Sequence, residues 1–151
     1  MPRFKDALTL VTTYAEKLNA LDQPSLTRWA ADCAEHVLSH FEEQRPHDER
    51  PRRAIEAARN WVRAEFGCSK AREAAVAAHS AARECDHPAA KAAARATGHA
   101  AATAHMPAHA QDAAAYALLA VMMENPDAAL AERDWQVRQL KRKPPYFTFN
   151  G

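Results

Sequence analysis

Residues 98–110 read GHAAATAHMPAHA, and the proline in this stretch decides the fold. Alanine is the strongest helix former, so the chain on both sides of Pro107 is predicted to be helical. In a continuous helix the ring of Pro107 would collide with the carbonyl group four residues earlier, and the residue before a proline avoids helical backbone. We therefore predict two helices, over residues 88–105 and 107–124, that meet at Pro107 as antiparallel neighbours.

Prolines also mark the starts of predicted helices in the rest of the chain. Five prolines precede stretches with helical spacing of apolar residues, where a fixed φ suits the first turn of a helix: Pro24, Pro51, Pro88, Pro107 and Pro126. The chain has three glycines and no strand-length alternation of apolar and polar residues. The periodicity predicts helices over residues 4–18, 26–41, 55–66, 69–83, 88–105, 107–124 and 126–141.

The predicted fold class is all-α, a compact bundle of six or seven helices with short, proline-started connections. The chain has 151 residues, which favours a single helical domain over residues 1–151. Residues 113–123 are apolar nearly all round, so the helix that contains them is expected at the centre of the bundle.

Composition excludes several classes of partner. The chain has 20 Lys and Arg against 19 Asp and Glu, a net charge of +1, so we expect no nucleic acid partner. No run of 18 apolar residues and no signal core occurs, so we expect no membrane association. The three cysteines have no CxxC spacing, which fits reduced thiols in the cytoplasm. No phosphate loop, dinucleotide fingerprint or nucleophile elbow is present, so we expect no cofactor.

Three histidines stand out in the alanine-rich region. His99 shares a polar face with Lys91 and Arg95, so we expect its ring to face solvent. His105 continues the small face that contains Gly98, so we expect its ring to be partly enclosed. His109 lies beyond Pro107, in the first turn of the next helix.

The helix break at Pro107 allows three interpretations of these histidines. It places His105 at the negative end of one helix dipole and His109 near the positive end of the next. The two rings could cap helix ends, or they could form a catalytic acid and base pair, since the dipoles favour opposite protonation states. They could also bind a metal ion together with Asp112, although the glutamate of an HExxH motif is absent.

Further polar residues share helix faces with one another. His79 lies four residues before Arg83, and Asp112 lies four residues before Tyr116. We expect these two pairs to converge on a polar pocket between helices.

Several stretches together resemble a known family: RWAADCAEHVLSHFE, RPHDERPRRAIEAARNWVR, AHSAARE and ATGHAAATAHMPAHAQDAAAYALLAV. They are similar to bacterial immunity proteins of the immunity-protein-five-like group, over about residues 28–121. The resemblance implies a small all-helical protein that protects a cell by binding and occluding a toxin of a polymorphic toxin system. It also implies a glycine near Ala64, and it leaves out the first helix and the aromatic tail (Tyr146, Phe147 and Phe149).

Two functions remain open at this point. The chain could be a non-catalytic inhibitor of a protein toxin, with a charged rim of Asp48, Arg50, Arg52 and Arg53. Alternatively, it could be a helical pocket protein or small enzyme that binds a polar small molecule or a metal ion through His99, His105, His109, Asp48, Arg83 and Tyr116. The aromatic tail and the alanine-rich faces also suit a homodimer.

Overall fold

A computed structural model of the chain describes residues 1–64 and 67–141. Within these ranges the fold is all-α, without strands, which confirms the predicted fold class. Nine α-helices and one 3₁₀ turn follow in order: α1 (Phe4–Thr12), α2 (Ala15–Asn19), α3 (Gln23–His36), α4 (Ser39–Glu42), α5 (Arg50–Val62), α6 (Cys68–Arg83), α7 (Pro88–Ala102), α8 (His109–Glu124), the 3₁₀ turn (Pro126–Ala128) and α9 (Ala129–Gln139). Seven of these helices have nine residues or more, in line with six or seven predicted helices.

Prolines begin the helices as predicted, with one variation. Pro24, Pro51 and Pro88 occupy the first or second position of α3, α5 and α7, and Pro126 opens the 3₁₀ turn. Pro107 lies in the turn two residues before α8 rather than inside its first turn. The predicted break between two helices at this proline is nevertheless confirmed.

Two predicted helices are each divided in the structure. Residues 4–18 form α1 and α2, because the backbone leaves helical geometry at Tyr14 (φ −127°, ψ 23°) and the Thr13 hydroxyl donates back to the carbonyl of Leu10 at 2.6 Å. Residues 26–41 are interrupted at Val37 and Leu38, and both side chains are buried there. Local turns thus serve to place large side chains in the core.

The two helices around Pro107 form the centre of the bundle. α7 packs against α3, α5, α6 and α8, and α8 packs against α1, α3, α7 and α9. The buried faces of both helices consist mainly of alanine, which lets helix backbones approach closely. Gln23 of α3 donates from its side-chain nitrogen to the carbonyls of Thr103 and Ala104, both at 3.0 Å, and so caps the end of α7.

A buried glutamine joins the outer helices to the core. The side chain of Gln136 on α9 is fully buried; it accepts a hydrogen bond from the Tyr14 hydroxyl at 2.6 Å and donates to the Ala114 carbonyl at 3.0 Å. The indole nitrogen of Trp29 donates to the Gln136 carbonyl at 2.8 Å. These bonds connect α3, α8 and α9 with the turn before α2, and they satisfy the polar atoms that burial removes from water.

The backbone at Ala64 has a left-handed conformation. Ala64, the second residue after α5, has a φ of 61°, a backbone region that favours glycine and agrees with the glycine that the resemblance implies there. Phe66 and the aromatic tail of Tyr146, Phe147 and Phe149 lie outside the described residues. Among the described helices, none combines the length and the apolar character that crossing a bilayer requires.

Replacing Gln136 by leucine tests the buried hydrogen bonds. Gln136→Leu leaves the Tyr14 hydroxyl buried without its acceptor, so the free energy of unfolding should fall by about 1–3 kcal/mol in urea denaturation. Tyr14→Phe serves as the matched partner variant. The double variant should lose less stability than the sum of the two single losses, because both ends of the bond are then apolar. Strictly additive losses would show that this bond contributes nothing.

Candidate functional site

Three imidazole rings from three helices meet beside the Pro107 turn. His79 lies on α6, His99 on α7 and His109 at the start of α8. The Nδ1 atoms of His99 and His109 are 3.0 Å apart, and the rings of His79 and His99 meet edge to face with centroids 4.8 Å apart. We call these three residues the histidine cluster.

The cluster exists because Pro107 reverses the chain. His99 faces His109 across the reversal, ten residues later in the sequence. The Thr103 hydroxyl donates to the carbonyl of His99 at 2.9 Å, which satisfies a group in the last turn of α7. The turn therefore sets the imidazole of α8 against that of α7.

Gly98 makes room for the third ring. A Cβ atom at this position would lie 2.7 Å from both Cε1 and Nε2 of His79, closer than real side chains allow. His79 is held in place by Arg95, whose guanidinium Nη1 lies 3.0 Å from its Nδ1. Because a guanidinium can only donate, Nδ1 of His79 accepts and the ring carries its proton on Nε2.

Burial keeps two of the three rings neutral. Desolvation is the main cause that lowers the pKa of His79 to about 4, and the charges of Arg95 and Arg83 add to it. Desolvation also lowers the pKa of His99 to about 3, followed by the influence of His79 and His109. Since the unfolded chain takes up protons on these rings at a higher pH, the free energy of unfolding falls as the pH drops below about 6.5.

A carboxylate and a phenol complete the surroundings of the cluster. Oδ2 of Asp112 lies 3.8 Å from Nδ1 of His99 and 3.6 Å from Nδ1 of His109, beyond normal hydrogen-bond length. Desolvation raises the pKa of Asp112. The ring of Tyr116 stacks on His99 with centroids 5.3 Å apart. The ring of Phe4 on α1 packs against Tyr116, with centroids 4.4 Å apart. Asp112, His99 and His109 thus direct three ligand atoms of suitable type for a metal ion toward one another.

Two predicted positions of histidines are corrected by the structure. His105 is exposed rather than partly enclosed, because α7 ends at Ala102 and the chain has turned outward before residue 105. His99 is not a solvent-facing residue: its side chain is 18% exposed, because Tyr116, His79 and His109 cover it. The predicted metal ligands are His105, His109 and Asp112. In the structure His109 and Asp112 do lie together, but the third member of the group is His99 and not His105.

The charged residues form a second group at the connection before α5. The Arg50 guanidinium binds both Asp48 and Glu84, with the closest contacts at 2.7 Å and 2.8 Å. Bonding to Arg50 lowers the pKa of the Asp48 and Glu84 carboxyls. Arg45 donates to the Glu84 carbonyl at 2.6 Å, so the connection is fastened to the end of α6.

The remaining arginines of the predicted rim differ in how firmly they are held. Arg52 forms a bidentate ion pair with Glu42: its Nε and Nη2 atoms donate to the two carboxylate oxygens at 2.8 Å and 2.7 Å. Arg53 and Glu49 stand 3.6 Å apart, and each side chain is 68% exposed. Arg53 and the residues from 44 to 50 surround a surface depression of about 640 Å³. We call the segment of residues 44–53 the charged rim.

A comparison with models of protein families decides the relationship. Residues 16–143 match the family described as Imm-5 like putative immunity protein. The chain belongs to this immunity protein family. The match extends beyond both ends of residues 28–121, the part of the chain that carries the resemblance. No curated protein and no solved structure matches the chain.

Both groups of polar residues fall within the part of the chain that matches the immunity protein family. His79, Tyr116 and Asp112 lie close together, as expected, because all three surround the ring of His99. Arg83 donates to the Ser80 hydroxyl, and its charge contributes to the low pKa of His79. Asp48 and Arg50 lie together in the charged rim, where Arg50 also binds Glu84 at the end of α6.

Sequence reasoning missed the partners that fix these side chains. The helical spacing puts Arg95 on a polar face but gives no sign of its contact with His79, and no local pattern indicates the bonds of Arg50 to Glu84 and of Arg52 to Glu42. These pairs join residues 34 and 10 positions apart. The one local signal for the histidine cluster was Gly98, whose missing side chain marks a close approach.

Replacing Gly98 by alanine tests the approach of His79. The added Cβ would force the His79 ring away from α7, so Gly98→Ala should lower the free energy of unfolding by about 1–3 kcal/mol, despite the better helix propensity of alanine. Urea denaturation measures the loss. His79→Ala is the matched partner variant, because the three atoms nearest to the added Cβ all belong to the His79 ring, so Gly98→Ala should cost little once that ring is removed. A loss from Gly98→Ala that is equally large with and without the His79 ring would contradict the packing described here.

Proposed function

We propose that this chain is a bacterial immunity protein that binds a protein toxin and blocks it without catalysis. The observation that carries the proposal is the match of residues 16–143 to an immunity protein family. Immunity in this sense requires a protein partner, because the protected cell must neutralise the toxin itself.

The charged rim supports the proposal as a docking surface. Its Arg50 is fixed by Asp48 and Glu84 before any partner arrives, so little conformational freedom is lost on binding. Arg53 and Glu49 remain largely exposed beside the depression and can exchange their weak mutual pair for contacts with a toxin. Charged groups at the edge of an interface steer association and select partners.

The histidine cluster favours a second candidate function. Three rings, a carboxylate and a phenol brought together from α6, α7 and α8 suit a protein that binds a metal ion or a polar small molecule. This function uses none of the rim residues, so it is compatible with toxin binding.

The cellular setting of the proposal is the bacterial cytoplasm. Cys33, Cys68 and Cys85 are free thiols in the structure, as expected in a reducing compartment. A homodimer stays a prediction, and so does the absence of a nucleic acid partner.

Reversing the charge of Arg53 tests toxin binding. Co-expression of the chain with toxins encoded by neighbouring genes should restore growth, and Arg53→Glu should weaken binding of that toxin about 10-fold or more. Survival on plates and titration with purified toxin measure the two effects. Arg53 is preferable to Arg52, because the Arg53–Glu49 pair is longer and more exposed than the Arg52–Glu42 pair, so reversing its charge should disturb the fold less.

Two controls separate partner contact from local stability. The double variant Glu49→Arg, Arg53→Glu keeps the ion pair and the net charge but reverses its direction, and it should also lose protection. Arg138→Glu changes an exposed arginine on α9 and should protect as the wild type does. Full protection by both rim variants would exclude the rim as the docking surface. Failure of the wild-type chain to neutralise any neighbouring toxin would contradict the function itself.

A further inference from the structure

The atoms that face one another at the start of α8 form a triangle of metal-ligand size. Nδ1 of His99, Nδ1 of His109 and Oδ2 of Asp112 are separated by 3.0, 3.8 and 3.6 Å. A circle through three points at these distances has a radius of about 2.0 Å, which is the length of a bond from Zn²⁺ to a histidine nitrogen or carboxylate oxygen. An ion at the centre of this triangle would therefore lie at bonding distance from all three atoms.

The electrostatics of Asp112 point in the same direction. Its carboxylate is only one third exposed, and among residues 1–64 and 67–141 no arginine or lysine forms an ion pair with it. The nearby Arg95 guanidinium is directed to His79 instead. A partly buried carboxylate without a cationic side chain gains most from a bound cation.

The two imidazoles are suited to the same ion. A metal ligand must be a neutral imidazole, and burial favours the neutral form of His99. His79 and Tyr116 hold the ring of His99 from two sides, so its Nδ1 is aimed before an ion arrives. His109 and Asp112 are one turn apart on α8 and present their ligand atoms on one face.

We propose that His99, His109 and Asp112 form a binding site for a zinc-class divalent metal ion. Two nitrogen ligands and one oxygen ligand suit Zn²⁺ or a first-row ion with similar preferences. The side chains of His109 and Asp112 are 31% and 34% exposed, so water can complete the coordination sphere. The ion would connect α7 and α8 across the Pro107 turn. This proposal does not depend on toxin binding.

The experiment is a titration of the full chain with Zn²⁺ after removal of metals by a chelator. Competition with a coloured chelator gives stoichiometry and affinity, and Co²⁺ provides a visible spectrum that reports the ligand set. We expect one ion per chain and a rise of the melting temperature in the presence of Zn²⁺. His109→Ala and Asp112→Asn should each weaken binding on the order of 100-fold or more, with the helical circular dichroism retained.

His105→Ala is the matched control, since it removes an exposed histidine four residues from His109 and should leave the affinity unchanged. Absence of stoichiometric binding would overturn the proposal and leave a hydrogen bond between His99 and His109. Equal binding by the wild type, His109→Ala and Asp112→Asn would assign the ion to surface histidines and overturn it as well. His99 is a less suitable target, because its ring is packed against Tyr116 and its loss could disturb the fold.

Discussion

The imidazole of His79 rests on the backbone of Gly98, and the arrangement of α6, α7 and α8 depends on that contact. It brings α6 close enough to α7 for the edge of one ring to meet the other, and it leaves His99 enclosed between His79 and Tyr116. The turn at Pro107 then adds His109 from α8. A side chain at position 98 would separate the helices, and the enclosed polar cluster would open to water.

The histidine cluster and the charged rim are two polar groups of different kinds. In the rim, arginines and carboxylates face water in pairs of graded exposure, from the fixed Arg50 to the loosely paired Arg53. In the cluster, the neutral rings of His79 and His99 take the place of charge, and the carboxylate of Asp112 lies beside them. An immunity protein can use the rim for recognition and the cluster for internal order, because the two share no residue.

The fold was predictable from sequence to the extent that local signals determine it. Alanine-rich segments, five prolines and the absence of strand patterns predict the helices and their order, and Pro107 separates α7 from α8 as expected. The divisions at Tyr14 and at Val37 were not predictable, because they depend on distant partners such as Gln136, 122 residues beyond Tyr14. The site was predictable only in part. Helical spacing places Asp112 and Tyr116 on one face, but the direction in which His105 points depends on where α7 ends, and the burial of His99 depends on side chains from two other helices, α6 and α8.

The protonation of the histidine rings tests the account most directly. Nitrogen-detected NMR of the metal-free protein can follow each ring as the pH is lowered, and an exposed histidine becomes mostly charged by about pH 5.5. The account predicts that His79 and His99 are still neutral at that pH, with pKa values of about 4 and about 3. Titration of both rings near pH 6.5, together with the exposed histidines, would contradict an enclosed cluster.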